Sequence, residues 1–211
     1  MKKITFILLL SIQFINAQEL GILKYDGGGD WYANPTAIPN LIAFCNQNIN
    51  TKLKETPKVV EPDNVDLFNY PIVFMTGHGN VFFDENTVEN LHNYLTSGGF
   101  LHISDNYGID QFIRREMTKV FPNLTFEEIP YNHPIYHQKY NFNKLPKIHE
   151  HDNKPAQGFG IFYKGRLVCF YDYQCDLSDG WEDQAVHHDP QEIREKALKM
   201  GANIIQYTFT N

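Results

Sequence analysis

Along this chain the apolar positions alternate between two spacings, short continuous runs and stripes with helical period. Leu20 to Tyr25 reads as a strand that runs into Gly27-Gly28-Gly29-Asp30. From about Thr36, the residues Ile38, Leu41, Ile42, Cys45 and Ile49 fall on one helical face, with Pro39 tolerated in the first turn. Lys58-Val59-Val60 is a short strand. Pro71 to Thr76 is an unbroken apolar run, the pattern of a strand covered on both faces. Asp84 is placed to cap a helix with Val88, Leu91 and Leu95 inward, and Ser97-Gly98-Gly99 ends it.

Phe100 to Ser104 is the next buried strand. A helix from about Asp110 follows, with Ile113, Met117 and Val120 on its core side, and Phe121-Pro122 stops it. Thr125 to Ile129 reads as a further strand and residues 130–160 as irregular. Ile161-Phe162-Tyr163, Lys164-Gly165 and Arg166 to Tyr173 read as a hairpin. The last helix carries a buried stripe of Ile193, Ala197, Met200 and Ile204. Asp189 with Pro190 and Glu192 has the arrangement of a capping box. Alternating strands and helices predict an α/β domain: a mainly parallel sheet with helices on both faces and an antiparallel hairpin extension.

The first residues follow neither spacing. Met1-Lys2-Lys3 is a positive start, Ile4 to Ile15 is almost wholly apolar, and Asn16-Ala17-Gln18 offers a small residue for cleavage. These are the parts of a secretory signal, so residues 1–17 are expected to be removed and residues 18–211 to form a single domain. The run is shorter than the roughly 20 residues that span a membrane, and no later stretch reaches that length. Export then sets the localisation: periplasmic or secreted. Without residues 1–17 the balance becomes 16 basic against 25 acidic residues, a net charge of −9. With no basic run to meet phosphates, nucleic acid is not an expected partner. The three cysteines, Cys45, Cys169 and Cys175, are an odd set. Cys169 and Cys175 would lie about 20 Å apart in extended chain, which favours buried thiols over a bond.

Ligands of such sheets sit beyond the C-terminal strand ends. Three loops arrive there: Gly27-Gly28-Gly29-Asp30-Trp31-Tyr32, Gly77-His78-Gly79-Asn80 and Asp105-Asn106-Tyr107-Gly108. Each combines a glycine, which lets backbone turn tightly or come close to a ligand, with a polar or titratable group. His78 and Asp105 are the candidate catalytic pair, with Asp30 or His149 assisting. Gly28, Gly29, Asp30, Trp31, Gly77, Gly79, Asn106 and Tyr107 are the candidate ligand-binding residues. Each loop also has a plain structural reading, as a tight turn or a brace for the next helix.

A divalent metal is the one cofactor the sequence suggests, through His149 and His151 in His149-Glu150-His151-Asp152. Neighbours in that run point different ways, so another ligand must come from elsewhere, since zinc sites use three or four. Pro134 weakens a helical pairing of His133 with His137. Asp176 to Asp183 reads as a solvated acidic loop without calcium-loop spacing.

Several blocks together resemble the domain-of-unknown-function family 4159: Asp26 to Tyr32, Thr76 to Gly79, Gly98 to Leu101, Asp105 to Gly108, His133-Pro134, Leu145 to His149, and Cys175 to Trp181. The resemblance covers about residues 20–208. It implies a bacterial exported or membrane-associated protein without an established activity, and a flavodoxin-like fold of the class I glutamine amidotransferase type. Counting from Gly98-Gly99, Asp105 stands where those enzymes carry their nucleophilic cysteine. Asp cannot form the thioester, so the resemblance does not extend to glutaminase activity.

Two functional readings follow. One is a hydrolase or degenerate enzyme acting on a small polar or carbohydrate-like substrate, with His78 and Asp105 in proton transfer. The other is a non-catalytic module that binds a small polar ligand or an envelope component, with Trp31, Tyr32, Tyr107 and Trp181 as stacking surfaces.

Overall fold

The computed structural model describes residues 17–211, so nearly all of the expected signal segment lies outside the described residues. The chain folds into one seven-stranded sheet of order β2-β1-β3-β4-β7-β6-β5. The strands are β1 (Gly21–Leu23), β2 (Lys58–Val60), β3 (Ile72–Met75), β4 (Phe100–Ser104), β5 (Glu127–Glu128), β6 (Gln157–Tyr163) and β7 (Arg166–Tyr173). The first five in spatial order are parallel, and β6 runs antiparallel to both β7 and β5. Taking β7 as the fifth parallel strand, the order is 2-1-3-4-5, that of flavodoxin-like doubly wound sheets.

Every residue of β3 and β4 is buried, and side-chain alternation sorts them between two cores. Ile72, Phe74, Phe100 and Phe170 pack with Ile38, Leu41 and Ile42 of α1 (Ala37–Asn48) and Ala197, Met200 and Ile204 of α5 (Gln191–Thr210). On the opposite face Val73, Met75, Leu101, Ile103, Cys169 and Tyr171 pack with Leu91 and Leu95 of α2 (Glu85–Thr96) and Ile113 and Met117 of α3 (Asp110–Val120). Asp84 caps α2 by accepting the Thr87 amide at 2.8 Å, as its position predicts. All three cysteines are unpaired and buried, and burial raises the Cys45 thiol to about 12. No helix among the described residues is long and apolar enough to cross a membrane.

Some expected boundaries move. β1 is shorter than the Leu20–Tyr25 run, and the strand expected over 125–129 shrinks to two residues. β6 begins at Gln157, inside the segment read as irregular, because Gly158 and Gly160 hide its alternation while admitting Tyr136 and Ile129 beside the backbone. The capping box at α5 does not form: Pro190 is the cap residue and no side chain caps the helix. The Asp189 carboxylate turns instead to His149 Nε2, 3.2 Å away. A four-residue helix, α4 (Gln184–His187), precedes it.

Candidate functional site

The loops after β1 and β3 lace together through their backbones. The Gly29 amide donates to Asn80 O at 3.0 Å, Asp30 to His78 O at 3.2 Å, and Phe82 to Asp26 O at 2.8 Å. This lacing explains two of the glycines. A Cβ on Gly29 would stand 2.7 Å from His78 O. One on Gly77, whose φ is +134°, would stand 2.9 Å from Asp30 O and strike the Tyr25 hydroxyl. Gly28 has open space beside it, and Gly79 meets nothing nearer than Gly29 Cα at 3.7 Å. Both leave room beside the backbone.

The same lacing delivers Asp30 to His78. One Asp30 oxygen accepts the His78 backbone amide, and the other lies 3.0 Å from ring Nδ1. An ionised carboxylate only accepts, so Nδ1 carries the proton and a neutral ring keeps its lone pair on Nε2. The His78 side chain is 54 % exposed, so that nitrogen is reachable.

Asp105, at the end of β4, is committed elsewhere. Its side chain is buried, Oδ2 accepts from the Gln174 amide at 3.4 Å, and Oδ1 has no partner among the described residues. Burial, only partly offset by the Gln174 amide, raises its carboxyl to about 6, with the negative charges of Asp172 and Asp110 adding to the rise. Asn106 is buried as well. It donates to Asn34 Oδ1 at 3.2 Å and accepts from Ser178 Oγ at 3.3 Å, tying the β1, β4 and β7 loops together. Tyr107 takes a left-handed backbone, φ 59°, and stacks on His151 at 4.3 Å. Trp31 is half-buried, edge-on to exposed Tyr32 at 5.6 Å.

The segment after β7 departs most from expectation. Asp176, Ser178, Asp179, Trp181 and Glu182 are buried, where a solvated loop was expected. Trp181 draws the loop inward: it packs on Phe74 and His102, and its Nε1 donates to Ala197 O at 2.8 Å. It therefore offers no stacking surface to a ligand. Glu182 accepts the Thr36 and Ala37 amides at 2.8 and 2.9 Å, placing a carboxylate on the N-terminus of α1.

The buried loop carries carboxylates to the two candidate metal ligands. His149 Nδ1 lies 3.0 Å from Asp179 Oδ2 and 3.5 Å from Asp176 Oδ2. His151 Nε2 pairs with Asp176, and His187 Nε2 lies 3.8 Å from Asp179 Oδ2. His149, Asp179 and His187 each bring a ligand-type atom within 4.8 Å of the others. His151, paired with Asp176 and stacked by Tyr107, stands outside that group. Burial raises the Asp176 carboxyl, an effect opposed mainly by the His151 hydrogen bond. His133 and His137 are occupied otherwise, in accepting the Ile135 amide and in contacts to Asn141 and Tyr131. A groove of about 540 Å³ lies elsewhere, lined by Phe82, Val88 and Lys119 among others, and includes none of the candidate residues.

Beneath the strand ends is a buried network that the sequence reading missed. Asp172 takes His102 Nε2 at 2.7 Å, the Ser104 hydroxyl at 3.0 Å and the Cys175 thiol at 3.2 Å. His102, Ser104 and Asp172 share one sheet face at neighbouring registers, which the period of two would have revealed once β4 and β7 were paired.

Fold and loops together define a doubly wound α/β domain with a polar surface at its parallel strand ends. The chain matches the family described as "Domain of unknown function (DUF4159)" over residues 19–209 and belongs to it. A search of curated proteins returns no match.

Proposed function

We propose that the chain is an exported hydrolase that acts on a small polar or carbohydrate-like substrate, with His78 as general base. The observation that carries this is the two-point grip of Asp30 on His78 in the loops after β1 and β3, the switch point of a 2-1-3-4-5 sheet. In the reaction Nε2 takes a proton from water as its oxygen bonds to the electrophilic carbon. Asp30 stabilises the imidazolium, which then returns the proton to the leaving group. Asp105 is almost wholly buried, so its proposed part is to position the turn of residues 105–108. That turn borders the His78 loop, since a Cβ on Gly108 would stand 3.9 Å from the Gly79 amide. The N-terminal charge and apolar pattern supports export, and Gln18, just past the expected cut, already bridges Leu53.

The second reading, a module binding a small polar ligand or an envelope component, draws on the exposed rings of Tyr32 and Tyr107. Incubation with chromogenic esters, amides and glycosides separates the two. Hydrolysis predicts turnover that falls at least about 10²-fold in His78→Ala with unchanged circular dichroism. Turnover undiminished in that variant would overturn the role of His78. No turnover, with a thermal shift by oligosaccharide fragments, would favour the binding module.

A further inference from the structure

We propose that His149, Asp179 and His187 form a binding site for a divalent first-row transition metal, with zinc as the reference ion. The inference goes beyond the reading of His78 and does not depend on it.

The three residues converge from separate parts of the chain: His149 from the segment before β6, Asp179 from the buried loop after β7, His187 from α4. Asp179 Oδ2 lies 3.0 Å from His149 Nδ1 and 3.8 Å from His187 Nε2. Ligand atoms about 2.0–2.2 Å from a tetrahedral zinc lie about 3.3 Å from one another, so these spacings need only small adjustments.

Supporting contacts leave the right atoms free. Metal-bound histidines characteristically donate their second nitrogen to a carboxylate or carbonyl. His149 Nε2 has that partner in Asp189 Oδ1 at 3.2 Å, which directs the Nδ1 lone pair toward Asp179. On the other ligand, Asp179 Oδ1 accepts from Asn34 Nδ2 at 2.7 Å, leaving Oδ2 for the ion. Asp189 makes this contact in place of capping α5, so its orientation follows the histidine and not the helix.

The charge points the same way. Asp176, Asp179 and Asp189 bring three carboxylates around His149. Asp176 is 2 % and Asp189 8 % exposed, and Asp176 Oδ1 and Asp189 Oδ2 have no hydrogen-bond partner among the described residues. Hydrogen bonds from His149 to Asp179 and Asp189 leave both oxygens unmatched. A dication offsets more of this buried negative charge. Two imidazoles with a carboxylate favour a transition metal over calcium or magnesium, which take oxygen ligands. Three protein ligands also leave a coordination position open, as in catalytic zinc sites.

The test uses the purified full chain, stripped with chelator and titrated with zinc by calorimetry, with metal content read by mass spectrometry. One zinc per chain is expected, with a Kd below about 1 μM. His187 sits on exposed α4, so His187→Ala should keep the fold and weaken binding by at least about 10²-fold, while Asp189→Asn weakens it by about 10- to 100-fold. Asp179→Asn retains the oxygen that Asn34 uses, replaces the one that faces the two histidines, and should weaken zinc binding as His187→Ala does. Cobalt in place of zinc should give visible bands of a four- or five-coordinate ion, lost in His187→Ala. His78→Ala should bind zinc like the parent, which keeps this outcome separate from the fate of the His78 mechanism. Failure to bind zinc stoichiometrically, or binding unchanged by His187→Ala, would overturn the proposal.

Discussion

Asp30 holds His78 at two points, the backbone amide on one carboxylate oxygen and ring Nδ1, 3.0 Å away, on the other. Asparagine at position 30 would keep the first contact and reverse the second, because its amide nitrogen donates. Asp30→Asn is therefore expected to cost only about 1 kcal/mol in urea unfolding, the pair being half-exposed. Turnover should fall by about 10²-fold or more, since the ring would present the wrong nitrogen. An equal loss of stability and activity would reduce Asp30 to a loop brace.

The two loop glycines should separate sterics from backbone conformation. Gly77→Ala meets Asp30 O and the Tyr25 hydroxyl at a φ of +134°, whereas Gly28→Ala meets nothing within 4 Å at a φ of +88°. Gly28→Ala should cost about 1 kcal/mol from its left-handed conformation alone. Gly77→Ala should cost clearly more in the same urea titration and release His78 from Asp30. Equal costs would mean that the lacing adds no constraint.

Asp105 gives the chain a pH-dependent term. Its folded carboxyl is raised from an ordinary 3.8 to about 6, chiefly by burial. The stabilisation from its bound proton is thus fully present below about pH 4 and is lost as pH rises through about 6. Asparagine imitates the protonated acid, so Asp105→Asn should be more stable than the parent by about 2–3 kcal/mol at pH 7.5 and nearly equal to it at pH 4. Urea unfolding across that range measures the difference. A gap independent of pH would assign the effect to packing.

Asp172 should be the most damaging of these positions. It is fully buried and accepts from His102, Ser104 and Cys175. Asp172→Ala leaves the imidazole without its partner inside an apolar layer formed by Phe74, Phe170 and Trp181. A loss of about 3–5 kcal/mol is expected, read as a fall in unfolding midpoint. A loss under about 1 kcal/mol would show that the network is dispensable.

The parallel core was legible because its residues carry one message. Ile72–Met75 is wholly apolar, Phe100–Ser104 keeps Phe100, Leu101 and Ile103, and α1 keeps its buried stripe at helical spacing. The meeting of the glycine loops at the strand ends followed from topology. What could not be read was partner choice. Whether Asp30 or Asp105 meets His78 depends on backbone bonds between two loops, and neither loop advertises them. The acidic run 176–183 looked solvated because its composition is polar, yet the single indole of Trp181 carries it into the core. Burial of that loop is also what brings Asp179 to His149 and His187.

By holding Nδ1, Asp30 leaves Nε2 as the free ring nitrogen of His78. Long-range proton–nitrogen correlation spectra of the histidine rings report this tautomer, with His78 assigned by its absence in His78→Ala. With the ring neutral, a proton is expected on Nδ1 and none on Nε2, with the reverse in Asp30→Asn. A parent ring protonated on Nε2 would contradict it.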